Sequence, residues 1–100
     1  MRYESSETPK RVLQTEKGFE INYDIEEVAK EERTVIEFSK VCVDRIDYGL
    51  IVSAVIHSKY TIDDEIALRN NFVIEGESPE WLEYMEWREH AKNVAREVIK

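Results

Sequence analysis

The clearest pattern in the chain is the alternation over Phe19-Glu20-Ile21-Asn22-Tyr23-Asp24-Ile25, apolar at 19, 21, 23 and 25 and polar between. A period of two sets one face of a strand on a core and the other in water. Ahead of it, Lys10 to Thr15 reads as an edge strand. Glu16-Lys17-Gly18 reads as a three-residue hairpin loop with Gly18 in the left-handed position. Behind it, Glu26 to Glu32 carries five charges in seven residues and fits either a helical turn or a charged surface connection. Arg33 to Asp44 is rich in β-branched residues, and its apolar phase changes from even positions (Ile36, Phe38) to odd ones (Val41, Val43). A bulge near Ser39-Lys40 would bring both halves to one core; a strand buried on two faces is the alternative.

From Asp47 onward the period becomes helical. Asp47 is placed as an N-cap, and Ile51, Ala54 and Val55 share a face that Val52 and Ile56 widen, which predicts a helix over 47–58. A Ser58-Lys59-Tyr60-Thr61 corner follows. Thr61 caps a second helix, predicted over 61–72, with Asp63, Asp64 and Glu65 in its first turn, where the helix dipole favours negative charge. Ile62, Ile66 and Val73 repeat on one face of it, and Asn70-Asn71 is the expected exit. Ser78-Pro79-Glu80 then starts a last helix over 79–99, on the order of 30 Å long. Its stripe is Trp81, Tyr84, Trp87, Ala91, Val94, Ala95 and Val98.

Strands segregated ahead of helices predict an α+β fold. The expected arrangement is a small antiparallel β-meander over about residues 10–44 packed on three C-terminal helices, with the alternating face of Phe19 to Ile25 against Leu50–Ile56. One hundred residues correspond to a single domain, 1–100, with residues 1–8 expected to fray.

Charge narrows the partners. Net charge is −8 with 36% charged residues, which disfavours sequence-independent binding to nucleic acid or to an anionic bilayer, since both need a basic footprint. The acidity fits a well-solvated surface or one aimed at a basic partner. Cys42 is the sole cysteine and lies between two valines, so no internal disulfide forms and the thiol reads as a small core hydrophobe. No apolar run approaches ~18 residues and no secretory h-region is present, so the expected location is cytoplasmic.

Catalytic chemistry has little to build on. Consecutive helical acids such as Asp63-Asp64-Glu65 diverge by about 100° each and do not converge on a cation. Glu86 and His90 are one turn apart, which is half of a metal site. Three glycines are too few for a phosphate-binding loop. The expectation is a non-enzymatic chain with no cofactor, no metal and no evident small-molecule substrate. The residues best suited to binding are the aromatics Tyr60, Trp81, Tyr84 and Trp87, because Trp and Tyr dominate interface hot spots. They fit either a core or a surface for self-association or a protein partner.

The run Tyr48-Gly49-Leu50-Ile51-Val52-Ser53-Ala54-Val55-Ile56, then Lys59-Tyr60-Thr61, then Asp64-Glu65-Ile66-Ala67-Leu68, resembles small uncharacterised proteins of Bacteroides-type prophages. Glu83-Tyr84-Met85-Glu86-Trp87-Arg88 is similar to the pattern of their last helix. The resemblance covers roughly residues 33–98. It implies an origin in a phage or mobile element beside structural genes, and a virion-associated role, and it assigns no site. The alternative function read from the charge is an acidic decoy that occupies a basic nucleic-acid-handling protein.

Overall fold

Gly18 sets the first hairpin. Its φ is +146°, and a Cβ there would stand 2.4 Å from the Val43 carbonyl oxygen, so only glycine fits. The structure, a computed structural model, describes residues 2–99. Four strands come first: β1 (Tyr3–Ser5), β2 (Val12–Thr15), β3 (Gly18–Lys30) and β4 (Arg33–Val43). They form one antiparallel sheet in the order β1-β4-β3-β2. Three helices follow, α1 (Tyr48–His57), α2 (Ile62–Glu75) and α3 (Pro79–Ile99). The fold is therefore α+β: a β2–β3–β4 meander with β1 added beside β4, and then three helices. By its internal packing the chain divides between Ile46 and Asp47 into two compact units.

In the sheet unit, the first turn is tighter than expected: Thr15 pairs with Gly18, leaving Glu16-Lys17 as a two-residue loop. The charged segment after Ile25 is strand, not helix or connection. Glu26 to Lys30 pair residue for residue with Arg33 to Glu37, and the chain turns at Glu31, whose φ is +52°. Charge does not oppose this because the arm stays exposed and Lys30 reaches Glu37 at 3.2 Å and also Glu4. The irregularity expected at Ser39-Lys40 lies one strand over. The register shifts between Tyr23 and Glu26 of β3, with Asp24 at φ +52°. Arg2 stitches this bulge, donating from Nη2 to the Asp24 carbonyl (2.8 Å) and to Glu26 (3.0 Å), and from Nη1 to Ser39 Oγ (3.0 Å).

That anchorage also explains why the N-terminal residues do not all fray. Tyr3–Ser5 pair with Ile36–Phe38, and the Tyr3 ring stacks on Phe38 at 5.7 Å. Ile21, Tyr23, Val35, Ile36, Phe38, Val41 and Val43 are buried. Asn22 is buried too, donating from Nδ2 to the Lys10 carbonyl at 2.7 Å. Cys42 corrects its reading as a core thiol: it pairs with Glu20 on the opposite face from Val41 and Val43, and is exposed.

In the helical unit the caps are where the sequence puts them. Asp47 accepts from the Leu50 N–H at 3.0 Å. Thr61 and Asp64 form a reciprocal capping box at 2.9 and 3.0 Å. Ser78 Oγ accepts from the Trp81 N–H at 3.2 Å. The exit of α2 is later than Asn70-Asn71, at Gly76 with φ +80°, because neither asparagine interrupts the helix. α1 and α3 pack directly on each other. Buried positions are Ile51, Val55 and Ile56 on α1 and Tyr84, Ala91, Val94 and Ala95 on α3. The Trp87 indole closes that seam by donating to the Val55 carbonyl at 3.0 Å.

Two glycine substitutions should separate by sign. Gly18→Ala should destabilise the sheet by about 2 kcal/mol or more, since it combines backbone strain with a clash. Gly49→Ala, at a helical position whose nearest neighbour is Asp47 Oδ2 at 3.4 Å, should stabilise by about 0.5–1 kcal/mol through helix propensity. Urea unfolding followed by circular dichroism measures both; a silent Gly18→Ala would refute the steric account.

Candidate functional site

α2 differs from its neighbours in burying no side chain. Its stripe is the one legible in the sequence, yet it faces solvent: Ile62 is 64% exposed, Ile66 52% and Val73 82%, with Ile74 beside them at 80%. These aliphatic side chains line one helix face, with the exposed Arg69 between Ile66 and Val73; exposed apolar side chains grouped on one face are a feature of interaction sites in folded proteins. The setting of this face is acidic: residues 47–100 carry eleven carboxylates against six lysines and arginines.

The side of α2 next to the stripe is tied to the other helices through Glu65. Glu65 Oε1 lies 2.7 Å from His57 Nε2 of α1, and Ser53 Oγ lies 3.3 Å from His57 Nδ1. The Tyr84 hydroxyl of α3 donates to Glu65 Oε2, and Arg88 Nη1 donates to that hydroxyl at 3.0 Å while lying 3.7 Å from the carboxylate. Burial pushes the Glu65 carboxyl up, but hydrogen bonds from Tyr84 and His57 and the attraction of His57 and Arg88 outweigh it, so its pKa is held below the ordinary carboxylate value.

The four aromatics singled out from sequence lie around this point. Tyr84 is fully buried, edge-on to Tyr60 at 5.0 Å and 5.7 Å from Trp81. Tyr60, Trp81 and Trp87 are half-buried. Phe72 of α2 stacks on Trp81 at 4.4 Å. Lys59 Nζ sits over the Tyr60 and Trp87 rings, at 5.7 and 5.0 Å, and pairs with Glu83 at 3.2 Å. Tyr60, Trp81 and Tyr84 thus form one aromatic layer, and Trp87 joins it through Lys59.

Ser53, His57 and Glu65 line up as hydroxyl, imidazole and carboxylate, the order used in acyl transfer. Ser53 lies in the middle of α1, where the neighbouring backbone N–H groups are engaged in the helix itself and are not directed at a developing oxyanion. What the arrangement supplies is a tie between three helices. Sequence reasoning missed it, although Ser53 and His57 are at the i, i+4 spacing of facing side chains. Glu65 lies across the turn, and no local spacing points to it.

Each unit also carries an open cavity. One of 400 Å³ lies in the helical unit between Tyr60, Ala67 and Leu68 and the carboxylates Asp64, Glu80 and Glu83. The other, 540 Å³, lies beside the first hairpin and includes Cys42. Glu86 and His90 gather no third ligand: among the described residues no group of three or more His, Cys, Asp or Glu is placed to hold a metal ion. Among the same residues, no helix is long and apolar enough to cross a membrane. No protein-family model matches the chain, and no curated protein or solved structure does.

The Glu65 tie sets an acid limb. A carboxyl with a depressed folded-state pKa contributes stability that is complete above its unfolded value and is lost as pH falls through the folded one. Glu65→Gln should therefore cost about 1–3 kcal/mol at pH 7, with the difference from the parent protein shrinking as pH drops below about 4.3. Thermal midpoints from pH 7 to 3 measure this. A difference that stays constant across that range would rule out the carboxylate charge as its source.

Proposed function

We propose that the chain is a non-enzymatic protein-interaction module, a structural or assembly component of a phage-like element, whose contact surface is the outward face of α2. The observation that carries this reading is the solvent-facing stripe of Ile62, Ile66 and Val73 on a helix that buries none of its side chains. A helix laid against a partner through anchors along one face is a recurrent recognition mode; here they stand at i, i+4 and i+11. The partner is a protein with a basic rim around an apolar contact, because the excess of carboxylates in residues 47–100 repels an acidic one. The resemblance to prophage proteins supports a structural partner.

The same charge favours a second reading, an acidic decoy seated on a protein that otherwise holds nucleic acid. The two differ in what supplies the affinity. A decoy binds by charge and weakens steeply with salt, whereas a stripe-centred contact keeps its apolar component.

Paired aspartate substitutions, Ile66→Asp with Val73→Asp, test the stripe. Both positions are exposed, so stability should change by no more than about 0.5 kcal/mol each, while partner binding should fall by about tenfold or more. The readout is affinity capture at two salt concentrations with the parent protein and the double variant side by side, followed by measured affinity for the proteins lost from the variant. Recovery of the same proteins by both would remove α2 as the contact surface. A basic nucleic-acid-handling protein lost at high salt, but retained by the variant at low salt, would favour the decoy.

A further inference from the structure

We infer that α2 is a hinged cover, latched by the Glu65 carboxylate and able to lift away from α1 and α3 as a unit, uncovering Trp81 and Tyr84. The inference concerns the regulation of the surface proposed above and rests on that reading only for its biological use.

Three observations carry it. First, the buried positions of the helical unit lie on α1 and α3, which pack directly on each other, and none lies on α2. Removing α2 from its seat therefore leaves the α1–α3 seam in place, including the Trp87 bond to the Val55 carbonyl. Second, what holds α2 runs along one narrow face, with the half-buried Leu68 between two stronger attachments. At its N-terminal end Glu65 engages His57 of α1 and Tyr84 and Arg88 of α3; toward its C-terminal end Phe72 stacks on Trp81. Third, both ends of α2 can turn without distorting the helix. The capping box between Thr61 and Asp64 is local to α2 and moves with it. At the other end Gly76 has φ +80°, and nothing lies within 4 Å of where its Cβ would be.

Elements held by few buried apolar contacts open at lower free energy than the core they rest on. With the latch released, Phe72 parts from Trp81, and Tyr84, fully buried beneath Glu65, gains access to solvent. The aromatics that the sequence marks for binding are then exposed beside the aliphatic stripe of the same helix. Seated, α2 shows the stripe alone.

Amide hydrogen exchange by NMR on the full chain tests the device without any partner, so its outcome is separable from that of the binding experiment. In Glu65→Gln, amides over residues 66–75 should exchange about tenfold faster or more, while those of α1 and of residues 88–98 change less than about twofold. Tyr84→Phe, which removes one arm of the latch and keeps the ring, should give a smaller increase confined to the same residues. Phe72→Ala should reproduce the pattern from the other end and shift the Trp81 indole proton. A rise spread equally over α1, α2 and α3 would show that α2 is an integral part of the helical core and would overturn the inference. Unchanged exchange over 66–75 in both Glu65→Gln and Phe72→Ala would overturn it as well.

Discussion

A single carboxylate ties α2 to the other two helices of the helical unit. Glu65 sits on a helix that buries no side chain fully, yet it receives the Tyr84 hydroxyl, faces the His57 imidazole and lies within reach of Arg88. Taking a carboxylate partly out of water is costly unless its oxygens are satisfied. Here both are, by groups from two other helices, and the depressed pKa of the group is the sign that those partners outweigh its burial. The same bonds orient the partners. Tyr84 is fixed between Glu65 and Arg88, and its ring then sets the edge-on contact with Tyr60 and the approach of Trp81.

Much of this was readable from the chain. The alternation of Phe19 to Ile25 and the caps at Asp47, Thr61 and Ser78 express local physics, and local physics is what a sequence displays most directly. The extension of β3 through Glu26-Glu27 was not readable, because its strand character comes from the partner β4 and not from its own composition. Nor was the edge strand at Tyr3–Ser5, which depends on Arg2 reaching Asp24, Glu26 and Ser39.

The candidate site divides in the same way. Ile62, Ile66 and Val73 were legible as a stripe, but periodicity reports that a face is apolar and not what covers it. Tyr60, Trp81, Tyr84 and Trp87 were legible as a set at helical spacing, and their degrees of burial were not. Glu65 was legible only as one of three acids in a first turn. Its distinctive role depends on a turn that brings α2 back beside α1 and α3, a contact that no spacing within α2 encodes.

The two units treat their open surfaces differently, and the difference bears on which surface is functional. Beyond its pairing with β2, the outer edge of β3 presents Glu26, Glu27 and Lys30, all exposed; charges on an unpaired edge discourage further strands from adding to it. β1 on the other side is only three residues long, which limits pairing in another way. These are the devices of a surface arranged to stay alone. The α2 stripe carries one charge within it, Arg69 between Ile66 and Val73, and is otherwise aliphatic. A lysine or glutamate at 66 or 73 would suit a solvated helix at no packing cost, since neither position is buried. Val73 gains little from the fold it is attached to, and Ile66 leaves about half of its surface in water. Under the proposed function, these are the side chains that a complex would bury.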